Sequence, residues 1–516
     1  MHKIYRSTLL SLVFTLLFNL PIFFLKAELF AVGASKIFLF DMLTVFSVTA
    51  FLFYILACIP FIGTLLLAFF FMVGVVSNYF VFTFKKSFDS GVLTDILSVD
   101  AELVAEHTSI PMVSLAILCF VVALLLINRF VVKAENNSKK NTIVTLLIFV
   151  LMAGVGSKGF QNTAFKYSLI NYLPFNLVHA VNTYITKHKK QLSLAANKKD
   201  LTEDHKFTLE KTTDEPLIVV MIVGEAMRGD LISEEATPLM FKRKNLVRFT
   251  DATSASTMTR VSIPYMLSSA VPPNYDHALS EKSVISIFKH LGFATSWIGA
   301  QGIFGMFENA FAPIALEADY RVIKNDLRKA FPNKIVCDEC LIPFVAKRLG
   351  DEIGDQFMVL HFIGSHWNFS QRVPNNFNKK YLPSCEKDLH SQCTKEELVN
   401  AYLNTLSYSD QVLDNILTHL EDKNAIVIYA ADHGYSLQEN GYFGNGYVGD
   451  NTPREQTHVA MFAWGSEKFI KNNPRIYNNL QKHKNDKISH NYIFHSLLDC
   501  AGVKSDYIQE GLSLCR

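Results

Sequence analysis

Residues 217–230 read LIVVMIVGEAMRGD: seven consecutive apolar residues, then a glycine, a carboxylate and a polar turn. A run of that length, rich in Val and Ile and stopped by Gly224, predicts a strand buried on both faces, as in a sheet covered by helices. Four more runs of the same kind follow, ATSWIG (294–299), FMVLHFIG (357–364), AIVIYAA (425–431) and HVAMFAW (458–464). Helical periodicity lies between them, most clearly over 395–420, so the region from Glu215 onward predicts an α/β domain with a largely parallel sheet. Ligands of such sheets gather at the carboxyl ends of the strands, and the polar residues just after each run are therefore the place to look for chemistry.

Glu225 stands directly after the first run, His366 follows the third in HFIGSHWNF, and Asp432 and His433 follow the fourth in IYAADHGYS. Carboxylates and imidazoles suit zinc and leave a position for a reacting oxygen. An aspartate after a strand is as often a helix cap, but three strand ends carrying ligand types favour a metal site. The segment 251–269, DATSASTMTRVSIPYMLSS, supplies hydroxyls at Thr253, Ser254, Ser256, Thr257, Thr259 and Ser262. An alcohol becomes a useful nucleophile when a metal or a base removes its proton. Spacing leaves all six open, and a hydroxyl-rich loop that caps a helix is the plain structural alternative.

Toward the N-terminus the character changes. Leu, Phe, Val and Ile dominate up to about Gly156, whereas mixed charge follows Lys187; with 516 residues, half of them apolar, this describes a membrane part plus a soluble part. Five apolar runs, Ser7–Leu25, Phe38–Cys58, Phe61–Phe84, Met112–Val132 and Thr142–Gly156, reach or approach the roughly 20 helical residues that a hydrocarbon core requires. The first is preceded by His2, Lys3 and Arg6 like a signal peptide, but its long apolar core and the four runs behind it predict a retained anchor. Lys3, Arg6, Arg129, Lys133, Lys139 and Lys140 fall on one side, the expected cytoplasmic side, against Lys26, Lys36, Lys85 and Lys86 opposite. Five spans that start inside place the soluble half outside.

The expected division is a five-helix transmembrane domain over 1–160, an interfacial helix and linker over 161–214, and a catalytic domain over 215–516. Residues 171–190, NYLPFNLVHAVNTYITKHKK, form an amphipathic pattern that suits either a lipid surface or the flank of the soluble domain. The stretch 195–214 is polar and reads as the linker. In the acidic loop 85–111, Asp100, Glu102 and Glu106 either meet a cationic headgroup or stay solvated.

Cys58 and Cys119 lie within apolar spans, while Cys337, Cys340, Cys385, Cys393, Cys500 and Cys515 lie in the soluble half. The local pairings Cys337–Cys340, Cys385–Cys393 and Cys500–Cys515 would each staple a loop in an oxidising compartment, in agreement with the orientation. Cys337-x-x-Cys340 is alternatively a redox or zinc motif, although no second such pair completes it. A net charge of +2 and interspersed Lys, Arg, Asp and Glu argue against a nucleic-acid partner.

Taken in order, the five spans, the VGE strand end, the hydroxyl cluster running into SIPYMLS, and then GSH, ADHG and QTHV resemble the phosphoethanolamine transferases of Gram-negative envelopes. That family has an alkaline phosphatase and sulfatase-like α/β fold and includes the mobile colistin-resistance enzymes. The resemblance covers nearly the whole chain and is most specific over 223–227, 257–268, 360–371 and 429–441. GSHWNFSQRVP, CEKDLHSQC and CTKEELVNAYLNTLSYSD are most similar to the branch that modifies the Kdo sugar.

The resemblance implies that Thr259, the second Thr of a TxTxxSxP pattern, is the nucleophile. It implies that Glu225, Thr259, Asp432 and His433 hold one zinc, and that His366 works near a second metal or the leaving group. Phosphatidylethanolamine is the implied donor, a phosphoethanolamine-threonine the intermediate, and lipopolysaccharide, at Kdo or lipid A, the acceptor. The implied enzyme is a monomer of the bacterial inner membrane with its catalytic domain in the periplasm. Adding a primary amine would weaken the attraction of cationic peptides such as polymyxin.

Departures are Tyr435, where the family has Glu after DHG, and Asn445 in place of a histidine, which weaken a second metal. His458 in EQTHVAM is a substitute ligand unless the backbone satisfies it. Ala255 and Tyr265 stand where cysteines often flank the nucleophile, so that bridge is lost, while Cys385–Cys393 is kept. Two other readings stay open: a lipoteichoic-acid-type glycerol-phosphate transferase, against which the paired cysteines and GSHWN argue, and a non-catalytic envelope scaffold with a decayed site.

Overall fold

The computed structural model describes residues 2–30, 34–59, 61–84, 87–97, 110–134, 139–161, 172–303, 310–332, 337–351, 354–387, 390–449 and 452–516. The chain divides into two compact units, Met1–His188 and Lys189–Arg516. Asp100, Glu102 and Glu106 lie outside the described residues.

In the first unit, three helices are long and apolar enough to cross a membrane: Lys3–Leu25, Ile62–Thr83 and Ile110–Val131. The other two expected spans are shorter among the described residues, as apolar helices Asp41–Ala57 and Lys140–Gly154. Among the described residues three of the five expected spans are thus clear, and the other two lie on helices of 24 and 23 residues, Ala34–Ala57 and Lys139–Gln161. The first span continues through a π turn, Thr15–Asn19, that delivers Asn19 into the interior. There the Asn19 amide donates to the Leu173 carbonyl (2.9 Å) and its oxygen accepts the Leu173 N–H (2.8 Å), while the Tyr172 hydroxyl donates to Asp41 (2.8 Å). Polar groups inside an apolar bundle are stable only in such mutual pairs.

The helix Phe175–Ala196 leaves Val178, Val181 and Ile185 exposed along one side. The stretch read as a linker is ordered: Asp200 caps the short helix Leu201–Asp204 through the Thr202 N–H, and Thr208–Leu209 pairs with Val503–Lys504.

The second unit is built on a seven-stranded sheet. We number β1 Leu217–Gly224, β2 Leu246–Phe249, β3 Ala294–Gly299, β4 Tyr320–Val322, β5 Gln356–His361, β6 Asn424–Ala431 and β7 Met461–Gly465. Their spatial order is β2-β7-β6-β1-β5-β3-β4. β1 runs parallel to β6 and β5, β3 parallel to β5 and β4, and β7 alone runs against both neighbours. Every residue of β1, β5 and β6 is buried, as the apolar interiors of these strands require, with the polar Gln356, His361 and Asn424 buried at strand ends. Each such side chain contributes roughly 1.5–3 kcal/mol; an aspartate at Val220, mid-strand, would be a buried unpaired charge and would break the sheet. Strands β2 (LVRF) and β4 (YRV) were not expected, being short and carrying an arginine each.

Disulfides join Cys385 to Cys393 and Cys500 to Cys515. The third expected bridge is not formed. The Cys337 and Cys340 sulfurs stand 3.2 Å apart, a thiol contact and well beyond the roughly 2.05 Å of a bond. Between them Asp338 is turned inward, where it accepts the N–H groups of Ile363 (2.7 Å) and Gly364 (3.0 Å). Burial pushes its carboxyl up to about 6 despite those two bonds.

Candidate metal and nucleophile site

Strand register brings the decisive residues to one edge of the sheet. Gly224 lies opposite Ala431, Val223 opposite His361, and His361 opposite Gly299. The residues that follow each of these therefore emerge side by side. Gly224 is required by close approach, since a Cβ there would fall 1.9 Å from the Tyr429 hydroxyl. Gly364 has φ +44°, and a Cβ would meet the Glu225 carbonyl oxygen at 2.7 Å; next to it the Ser365 N–H donates to that same oxygen (3.0 Å).

Ala226 also has a positive φ, 55°, a strained choice for a residue with a Cβ. Its surroundings hold it there. The Ala226 N–H donates to Asp432 Oδ1 (3.0 Å), and its carbonyl accepts the Tyr402 hydroxyl (2.7 Å), which in turn accepts the Arg228 N–H (2.9 Å). The turn after β1 is thereby fixed to the residue after β6 and to the helix Lys395–Leu420.

Glu225, Asp432 and His433 are buried, and one ligand atom from each lies within 4.8 Å of the others. Their outer atoms are divided between support and vacancy of hydrogen bonds. Asp432 Oδ1 accepts the N–H groups of Ala226 and His433 (2.8 Å), leaving Oδ2 with no hydrogen-bond partner. Glu225 Oε2 accepts Gln301 Nε2 (2.8 Å) and the Thr259 hydroxyl (3.2 Å), leaving Oε1 with none. His433 Nδ1 donates to the Gly434 carbonyl (2.8 Å), which places the ring's lone pair on Nε2. That nitrogen is 3.4 Å from both Glu225 Oε1 and Asp432 Oδ2. Tetrahedral zinc with bonds of 2.0–2.2 Å sets its donors about 3.4 Å apart.

Electrostatics agree with a site made for a cation. Burial, and then the charge of Asp432, push the Glu225 carboxyl up to about 7 against the opposing pull of His433, His366 and the Gln301 amide. Two buried carboxylates with unpartnered oxygens are costly unless a cation joins them. Two carboxylates and an imidazole are a donor set that fits zinc, with His433 Nε2 3.4 Å from both carboxylate oxygens.

Among the six hydroxyls, the structure sorts roles. Thr257 donates to the Tyr447 carbonyl, and Ser254 and Ser262 both donate to the Ser256 carbonyl, so these shape the loop. Thr253 belongs to the short strand Asp251–Thr253 and is exposed. Thr259 Oγ1 lies 3.2 Å from Glu225 Oε2 and 3.1 Å from His433 Nε2. It opens the helix Thr259–Leu267, whose positive end favours an anionic oxygen or phosphoryl group. Pro264 inside this helix has no N–H for the Arg260 carbonyl, and the Tyr275 hydroxyl supplies the bond instead (2.7 Å). His490 braces the same loop: its Nδ1 accepts the Ala255 N–H (3.1 Å) and its Nε2 donates to the Ala431 carbonyl (2.9 Å). Burial lowers this imidazole to about 4 and keeps it neutral.

Of the remaining expected residues none belongs to the three-ligand cluster, although Asn445 touches it. His366 Nδ1 lies 2.8 Å from the Trp367 carbonyl, in a loop that Arg372 secures through the His366 and Trp367 carbonyls. Asn445 Nδ2 reaches His433 Nε2 (2.9 Å). His458 does not join: its Nε2 lies 3.2 Å from the Thr250 carbonyl, because the bridge between Thr253 and His458 turns the ring that way. Among the described residues no second group of three or more His, Cys, Asp or Glu side chains gathers as Glu225, Asp432 and His433 do. Tyr435 is buried against Phe369 and Phe443.

Sequence reasoning missed Gln301, Ala226, Tyr402 and His490. Gln301 was findable, since it is the polar residue just beyond the ATSWIG strand, the same position that singled out Glu225 and Asp432. Nothing local marks Tyr402 or His490, whose partners are far off in sequence.

The family model for sulfatases matches residues 218–503. Kdo(2)-lipid A phosphoethanolamine 7''-transferase of Escherichia coli strain K12 is 28% identical over 349 residues, which cover 65% of this chain and 60% of that protein. The chain thus spans less than two thirds of that relative's length. The integral membrane lipooligosaccharide phosphoethanolamine transferase A (EptA) from Neisseria meningitidis superposes with a TM-score of 0.84 at 22% identity, covering 100% of this chain and 98% of that one. The C-terminal periplasmic domain of EcEptC from Escherichia coli, solved as a complex with zinc, gives a TM-score of 0.52 at 21% identity, covering 60% of this chain and 89% of that one. The resemblance to phosphoethanolamine transferases and the sulfatase-like fold are borne out.

Proposed function

The chain belongs to the sulfatase family, and from that membership we propose that it is a membrane-anchored, zinc-dependent phosphoethanolamine transferase of the bacterial inner membrane, with its catalytic domain in the periplasm. The donor is phosphatidylethanolamine and the acceptor lipopolysaccharide, at the Kdo sugar or lipid A. The first 160 residues serve as anchor, 161–214 as connector, and 215–516 carry the chemistry. The protein works as a monomer.

One observation carries this reading. Thr259 Oγ1 sits at a helix N-terminus within 3.2 Å of a buried carboxylate and 3.1 Å of a buried imidazole, and these share with Asp432 a set of inward donor atoms spaced for one cation. Glu225, Asp432 and His433 would hold zinc with Thr259 beside them. When bound, zinc supplies Lewis acidity that favours the deprotonated hydroxyl and the charge on phosphoryl oxygens.

The chain's own residues then do the following. Thr259 Oγ forms a bond to the donor phosphorus as the phosphorus–oxygen bond to diacylglycerol breaks. The proton lost by Thr259 goes to the departing diacylglycerol oxygen, and His366 is the proposed carrier. The helix N-terminus at Thr259 stabilises the phosphoryl oxygens. In the second step an acceptor oxygen attacks the phosphorus, the Thr259–phosphorus bond breaks, and the acceptor's proton returns to Thr259. A lipid donor and a lipid-borne acceptor give the anchor its purpose.

Mass spectrometry of lipopolysaccharide from cells with and without the gene tests the assignment. Phosphoethanolamine on Kdo or lipid A that depends on the gene is the expected result. Glycerol phosphate in its place would make the chain a lipoteichoic-acid-type enzyme, and no change would leave only the scaffold.

A further inference from the structure

Gln301 approaches the site from β3, a strand that contributes no candidate ligand. Its Nε2 donates twice, to Glu225 Oε2 at 2.8 Å and to the Phe362 carbonyl at 2.9 Å. Both partners are acceptors only, which fixes the amide's orientation with nitrogen inward. Phe362 is itself held to the sheet, since its N–H donates to the Val223 carbonyl at 3.0 Å. The amide therefore measures the Glu225 carboxylate against the β1–β5 ladder.

The terminal torsion of a glutamate is broad and twofold. Unaided, the Glu225 carboxylate would turn freely between its two oxygens. Donors on Oε2 break that symmetry: Oε2 faces Gln301 and the Thr259 hydroxyl, and Oε1, without a hydrogen-bond partner, faces His433 Nε2 at 3.4 Å. A neutral amide does this without cancelling the carboxylate charge, as an arginine or lysine would.

From this geometry we propose that Gln301 is a positioning residue for the metal: it locks Glu225 with Oε1 turned toward the ion and Oε2 toward the nucleophile. This rests on the reading of Glu225, Asp432 and His433 as zinc ligands. Partners of this kind commonly change metal affinity by roughly 10–100-fold when removed.

The test uses the full-length protein in detergent, stripped of metal. Zinc is titrated against a competing chelator, and cobalt(II) is titrated separately because its visible bands report ligand geometry. Gln301→Leu removes both donors at similar bulk, and Gln301→Ala leaves room for a water to donate instead. Expected are a zinc affinity lowered roughly 10–100-fold in Gln301→Leu, a smaller loss in Gln301→Ala and shifted cobalt bands in both, beside a lower metal-free melting temperature in Gln301→Leu, where the Phe362 carbonyl loses its donor. Native affinity and native cobalt spectra in the variants would overturn the proposal. If Gln301→Leu fails to fold, the alanine variant decides by the same criteria. A native protein that binds neither metal would instead refute the zinc-ligand reading on which the proposal stands.

Discussion

Thr259 differs from its five neighbouring hydroxyls in what it touches. Ser254, Thr257 and Ser262 satisfy backbone carbonyls and Thr253 is exposed, whereas Thr259 touches a carboxylate and an imidazole that the fold has buried together. Thr259→Ala should therefore lower transfer by on the order of 10⁴-fold or more, as loss of a nucleophile does, while Thr259→Ser should retain measurable activity. A pH effect belongs to this scale as well. His495 is buried, its Nδ1 accepting the Gln509 N–H and its Nε2 without a hydrogen-bond partner, and burial lowers its imidazole to about 4. In the unfolded chain it titrates near its ordinary value of about 6.5. The stability that its neutral form contributes is fully present above that value and is lost as pH falls through 6.5 toward 4. Melting curves of the native protein and His495→Leu should show a gap that narrows from about pH 7 to about pH 5; a gap that widens would contradict the account.

At the scale of elements, the site is a consequence of parallel register. Adjacent parallel strands end together, so a carboxylate one residue past β1 and another one residue past β6 are neighbours without any further device. What the register does not supply is the direction of each side chain, and Tyr402, from the helix Lys395–Leu420, contributes that by pinning Ala226 and Arg228. Tyr402→Phe leaves a buried carbonyl and a buried N–H without partners, and thermal unfolding should show a loss of about 1–3 kcal/mol together with weaker zinc binding. Unchanged stability would mean that the strained turn needs no such support.

This division explains what was legible in the sequence. Apolar runs announced β1, β3, β5, β6 and β7, and the polar residues after them announced Glu225, Asp432 and His433, because burial and strand-end position are both local. β2 and β4 were hidden by their length and their arginines. Thr259 could be singled out only by resemblance, since hydroxyl spacing says nothing about which oxygen meets an acid 34 residues away in sequence. Cys337 and Cys340 misled for a related reason: proximity in sequence allowed a bridge, but the turn that directs Asp338 inward holds their sulfurs as thiols. For His458 the sequence left a ligand and a backbone-satisfied ring both open, because the Thr250 carbonyl that its Nε2 meets lies more than 200 positions away.

For the molecule as a whole, anchor and site have different origins. The anchor follows from hydropathy alone, whereas the site depends on the second unit folding around buried charge that a cation must offset. Metal removal should reveal that dependence: chelation should abolish transfer, zinc should restore it, and the melting temperature should rise on reloading, since a ligand that binds only the folded state stabilises it. Cells expressing the active protein should bind polymyxin less, because each added amine offsets envelope negative charge; equal binding by cells carrying Thr259→Ala would detach the effect from catalysis.

The central claim is a covalent transfer through Thr259, and the mass of the intact protein after incubation with phosphatidylethanolamine tests it most directly. The account predicts a phosphoethanolamine adduct that maps to Thr259 and is absent from Thr259→Ala. An adduct on any other residue, or one that persists in that variant, would contradict it.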